Sequence, residues 1–99
     1  MLNITKAIEN DNAVFSLEGR LDTITAPQLE EAIKSAVSDL SRLTLDFEKL
    51  EYISSAGLRV LLMAQKRMGQ QGEMKVVHVS DTIQEIFEVT GFSDILTIE

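Results

Sequence analysis

The sequence contains no cysteine and a single histidine, His78. Without thiols there is no disulfide framework and no thiolate metal site. One imidazole is too few for a dedicated zinc or catalytic-metal cluster, so neither metal nor any other cofactor is expected. Long apolar runs are missing as well. The most apolar stretch, Leu58 to Ala64, is broken by Arg59 and continues into Gln65-Lys66-Arg67, far short of a bilayer span. The opening Met1-Leu2-Asn3-Ile4 has neither a basic start nor the apolar segment of a secretory signal, and a cytoplasmic location is expected. Positive charge is scarce: 9 Lys and Arg stand against 16 Asp and Glu, for a formal net charge of -7. Nucleic-acid phosphates need a basic surface, and an anionic membrane would repel this chain, so the charge argues against both as partners. Neither G-x-G-x-x-G nor a P-loop lysine pattern occurs.

What is present suits a globular domain. Residues 1–99 are the size of one domain, and 44% hydrophobic content with 25% charge can build a core. Leu2 to Ile8 reads as an edge strand, followed by the polar turn Glu9-Asn10-Asp11-Asn12. Ala13 to Glu18 is its antiparallel partner, with Ala13, Phe15 and Leu17 inward. Gly19 to Ile24 breaks the alternation and reads as a loop. Thr25 with Gln28 fits a capping box, and Pro27, the only proline, falls in the first helical turn. The helix that follows keeps Leu29, Ala32, Ile33, Ala36, Val37 and Leu40 on one stripe.

Leu43, Leu45 and Phe47 then alternate as a central strand. After a short connector come Ser54, Ser55 and the small pair Ala56-Gly57, and a helix that ends near Gly69. Leu58, Leu61 and Leu62 share its buried face. Met74 to Val79 is a further strand. Ser80, Asp81 and Thr82 are N-cap candidates for a third helix, with Asp81 and Gln84 as a possible box and Gly91 as its left-handed stop. The tail carries one more short strand. Strand–helix–strand passages demand right-handed crossovers and parallel pairing. The expected fold is therefore α/β: a small mixed sheet of four or five strands with an N-terminal antiparallel hairpin and three or four helices packed on it.

In such a sheet, partners meet the protein at the carboxyl ends of the parallel strands, where Ser54 and Ser55 fall. Ser54 suits a helix cap. Ser55, followed by Ala56 and Gly57, has a sterically open hydroxyl. A phosphate there would lie at a helix N-terminus, where free N–H groups and the dipole accommodate a dianion. A different chemistry needs stating beside this one. Ser55-Ala56-Gly57 is half of a nucleophile-elbow pattern, whose first glycine is here Ile53, and His78 with Asp22 or Asp46 could complete a triad for a small serine hydrolase.

Two segments give the chain its likeness to a known family: Leu17-Glu18-Gly19-Arg20-Leu21-Asp22 with Thr25-Ala26, and Leu45-Asp46-Phe47 through Tyr52-Ile53-Ser54-Ser55-Ala56-Gly57-Leu58. The chain resembles the STAS domains, most closely the single-domain bacterial anti-sigma factor antagonists. The resemblance implies a non-enzymatic, phosphorylation-controlled switch in sigma factor regulation. The unmodified antagonist would sequester an anti-sigma factor with serine kinase activity, and phosphorylation would release it. A metal-dependent serine phosphatase would reset the cycle. Ser55 matches the family's phosphorylated position, with Ser54 as the second candidate. The resemblance places partner contacts at Asp22, Thr23, Ser54, Ser55, Ala56, Gly57, Leu58 and Arg59. The sequence departs from the family where an aspartate commonly precedes the acceptor and a serine or threonine follows it; here these are Ser54 and Ala56. The rival within the family is a STAS adaptor subunit of a larger assembly, such as a transport complex, that is never phosphorylated.

Overall fold

The structure, a computed structural model, describes all of residues 1–99. Four strands form one sheet in the order β1 (Leu2–Glu9), β2 (Asn12–Leu21), β3 (Arg42–Ile53) and β4 (Glu73–Val77). β1 and β2 make the antiparallel hairpin, while β3 runs parallel to both β2 and β4. The helices α1 (Ala26–Ala36) and α2 (Ser55–Gly69) fill the two crossovers, and α3 (Asp81–Thr90) follows β4. The tail adds a single parallel bridge, Val76 to Ile98, in place of a full strand. Successive right-handed crossovers that advance in one direction put their helices on one face of the sheet. Burial agrees with this. Ala13, Phe15, Leu17, Leu43, Leu45, Phe47, Met74 and Val76 are all buried beneath the helices. The alternate residues Ser16, Asp46 and Glu48 look out from the other face.

Two expectations about strand length are corrected. β2 does not stop at Glu18, and residues 48–53 are no connector: the two strands stay paired through Arg20–Tyr52 and Leu21–Ile53. Alternation is lost because the register slips between Ser16 and Glu18 and again between Gly19 and Arg20, each time with an extra residue in β3. The inward residues of β3 therefore move from a spacing of two to Phe47, Leu50, Ile53. β4 is shorter than expected. It ends at Val77 because His78 turns away at φ 58.

The caps also differ in part. Thr25 makes no side-chain cap on α1, and Gln28 reaches instead to the carbonyl of Leu2 at 3.0 Å. At α3 the cap is Ser80, whose Oγ accepts the Ile83 N–H at 3.3 Å, so no Asp81–Gln84 box forms. Gly91 closes that helix at φ 83, as expected. On α2 the core-facing residues are Leu58, Val60, Leu61, Ala64 and Met68. Leu62, expected inside, is only half-buried. Phe47 meets Phe87 of α3 across the core, with ring centroids 6.3 Å apart. Burying a side chain of this kind contributes about 1.5–3 kcal/mol.

Candidate functional site

β2 and β3 end side by side, so the turn entering α1 and the turn entering α2 are neighbours. The Ser54 N–H donates to the Leu21 carbonyl at 2.9 Å, which joins them directly. The first turn is built around Asp22. Its Oδ1 accepts the N–H of Ile24 at 3.1 Å and of Thr25 at 3.0 Å. Thr25 is buried, and its hydroxyl answers by donating to the Arg20 carbonyl at 2.8 Å and accepting the Asp22 N–H at 2.9 Å. The Thr25 N–H holds the Asp22 carboxyl below the ordinary carboxylate value. This network is the reason Thr25 is not spent on capping α1. It also leaves Thr23 and Ile24 exposed at the tip, Ile24 by 87%.

The second turn separates the two serines. Ser54 sits in the N-cap position with extended backbone, and its Oγ accepts the Gly57 N–H at 3.4 Å. Ser55 is the first residue of α2 and is exposed, with its hydroxyl left out of the capping. Gly57 is there for space. A Cβ on it would stand 2.8 Å from Leu21 Cγ and 2.9 Å from Ile53 Cγ1, so α2 lies too close to the strand ends for any side chain. Leu58, 6% exposed, packs into the core behind it. Of the expected contact set, Gly57 and Leu58 are buried in this chain, where they seat the helix. Asp22, Thr23, Ser54, Ser55, Ala56 and Arg59 all keep at least part of their surface. Between the first turns of α1 and α2 lies an open groove of about 290 Å³, lined by Thr23, Ala26, Pro27, Ala56, Arg59 and Met63 among others.

Three neighbours of this site are given no role there by the sequence reading. Arg20 lies over the Tyr52 ring, 4.4 Å from its centroid, and its Nε is 3.9 Å from Asp22 Oδ2. Ile24 is the third. Arg20 and Tyr52 could have been found only by continuing the strands past the point where alternation fails. Ile24 gave a weak signal, an apolar residue inside a polar turn.

The hydrolase constellation does not assemble. His78 Nδ1 and Asp46 Oδ1 are 2.9 Å apart, but Asp46 pairs with Val77 partway along β3, seven residues before the strand ends at Ile53. At about 3.3 Å per residue, the remaining length of β3 sets Ser55 some 20 Å beyond that pair. Asp22, at the Ser55 end, is likewise engaged with its own turn and not with an imidazole. Asp46, Glu48 and His78 bring ligand atoms within 4.8 Å of one another and could hold a metal ion, yet they sit at the middle of β3, well short of the serines that follow its end.

Comparison with known proteins settles the family. The model described as STAS domain matches residues 3–99. The chain belongs to the STAS domain family. Among its STAS relatives is a Bordetella bronchiseptica protein named as an anti-sigma factor antagonist, BtrV, 38% identical over 87 residues that make up 86% of this chain and 75% of that protein. The anti-sigma-B factor antagonist of Listeria monocytogenes is 33% identical over 96 residues, covering 95% of this chain and 84% of the relative. The crystal structure of an anti-sigma factor antagonist from Mycobacterium paratuberculosis superposes with a TM-score of 0.89 at 25% identity, over 99% of this chain and 85% of that one. The mixed sheet and its helices are therefore the STAS fold. No helix is long and apolar enough to cross a membrane.

Proposed function

We propose that this STAS protein is a cytoplasmic, non-enzymatic anti-sigma factor antagonist formed by one domain, and that Ser55 is its switch. The observation that carries the proposal is the contrast at the start of α2: Ser54 caps the helix while the adjacent Ser55 hydroxyl is exposed and free. The partner is an anti-sigma factor with serine kinase activity. It docks on the Asp22 turn and the exposed residues around Ser55, with Thr23, Ala56 and Arg59 beside the groove. In the transfer, Ser55 Oγ forms a bond to the γ-phosphorus of the partner's ATP and gives up its proton, and ADP leaves. Nucleotide, metal and base belong to the partner. Phosphorylation adds about -1.5 to -2 charges to a chain that already carries a net -7. The buried, uncharged contact of a hydroxyl becomes a hydrated dianion, and the complex dissociates. A metal-dependent phosphatase removes the phosphate by hydrolysis.

The test is to incubate the protein with a kinase-type anti-sigma factor from the same genome and ATP, and to map added mass by peptide sequencing. One phosphate on Ser55, absent from Ser55→Ala, is expected. Stable binding with no phosphate on any residue would replace this reading with that of a non-phosphorylated adaptor.

A further inference from the structure

Ser55 and Arg59 are four residues apart on α2, and both are exposed. Residues at that spacing face each other on a helix, with Cβ atoms about 5–6 Å apart. An anion placed on the N-terminal side of the cation is the favoured order, since it also complements the helix dipole. The other cations of this surface differ in one respect. Arg20 is committed to the Tyr52 ring and to Asp22. Lys34 on α1 is paired with Glu30 at 2.7 Å. Arg59 has no carboxylate within salt-bridge distance, although Glu30 lines the same groove. Arg59 is therefore a free guanidinium one helical turn from an exposed hydroxyl.

We propose that Arg59 is the intramolecular counter-ion of a phosphate on Ser55. This rests on the phosphorylation reading above and deepens it. The guanidinium presents its fork of donors to two phosphate oxygens, while the N–H groups of the first helical turn take the third. Two consequences follow. The dianion is held along the helix and does not push the Asp22 carboxylate apart from its turn, so the fold survives the modification. At the same time Arg59, which lines the groove between α1 and α2 in the unmodified protein, is drawn out of it. Phosphorylation thereby removes a cation from the docking surface as well as adding an anion.

The experiment installs phosphoserine at position 55 during translation, so it needs no kinase. The second ionisation of that phosphate is followed by ³¹P NMR in the full chain and in the same chain carrying Arg59→Gln. Free phosphoserine ionises a second time near pH 6. With Arg59 present the midpoint is expected about 0.2–0.4 unit lower than in Arg59→Gln, the shift of an exposed i,i+4 ion pair. The difference should collapse in about 1 M salt, where the screening length is about 3 Å. Unmodified Arg59→Gln should melt with the parent protein, because the side chain is exposed and unpaired. Identical midpoints with and without Arg59 overturn the proposal. That outcome would leave the kinase experiment untouched, just as failure of the kinase to modify Ser55 would leave this titration standing.

Discussion

The N–H of Ser54 donates to the carbonyl of Leu21 across 2.9 Å, and this one bond ties the end of β2 to the start of α2. Asp22 is the next residue after Leu21, and Ser55 the next after Ser54. The turn that Asp22 organises and the hydroxyl that Ser55 exposes are therefore mounted on the same rigid seam. A partner touching both meets a surface whose geometry is set before it arrives, which limits the ordering cost of binding.

The two serines should separate cleanly by mutation. Ser54→Ala removes a helix cap and is expected to cost about 0.5–1 kcal/mol, the low side of the range because the bond is long at 3.4 Å. It should leave phosphorylation intact. Ser55→Ala should leave the melting temperature nearly unchanged and abolish phosphorylation. Thermal melts paired with phosphate mapping on both variants check this, and the reverse pattern would make Ser54 the acceptor.

Gly57→Ala should damage the seat of α2. Its Cβ would press on Leu21 and Ile53 inside 3 Å, and overpacking of this kind costs about 1–3 kcal/mol. At about 4–8 °C per kcal/mol for a domain of this size, a melt should fall by roughly 5–20 °C. Binding should weaken too, since both turns shift with the seam. An unchanged melting temperature would show that α2 can slide outward freely.

His78 should give stability a pH dependence of predictable sign. Its hydrogen bond to Asp46 holds the imidazole above its ordinary value of 6.5. Burial pushes Asp46 upward, but the Glu48 N–H and His78 outweigh it and leave the carboxyl below 3.8. The histidine's contribution is complete below its unfolded value and is lost as pH rises through the raised folded value. The aspartate's is present above its unfolded value and is lost as pH falls through the lowered one. The pair is at full strength in between. His78→Asn tolerates the left-handed backbone at φ 58. It should lower the melting temperature at about pH 5.5 and do so less at about pH 9. Equal effects at both would assign His78 a role unrelated to its charge.

Much of this architecture could be read from periodicity, because the helix stripes and the inward rows of Ala13, Phe15 and Leu17 obey simple spacing. The strand ends could not. Phe47, Leu50 and Ile53 are three apart, a spacing that looks like a turn or a helix unless two bulges are known to lie between them. The same bulges hid Arg20 and Tyr52, which only become neighbours once the strands continue. Thr25 misled for another reason. A threonine three residues before a glutamine satisfies a capping pattern, yet its hydroxyl finds a better pair of partners in Arg20 and Asp22. At the candidate site the serines were legible from chain order alone. Their division of labour was expected, with Ser54 as the cap. The burial of Leu58 and Leu61 followed from helical spacing, whereas Leu62, on the same expected stripe, is only half-buried because the helix turns it toward the edge of the core.

The most direct trial of the account is a calorimetric titration of the kinase-type anti-sigma factor with two forms of this protein, unmodified and carrying phosphate on Ser55. The unmodified form should bind, and the phosphorylated form, still folded by circular dichroism, should bind at least about tenfold more weakly, a difference of about 1.4 kcal/mol. Equal affinity of the two folded forms would contradict the claim that Ser55 is the switch.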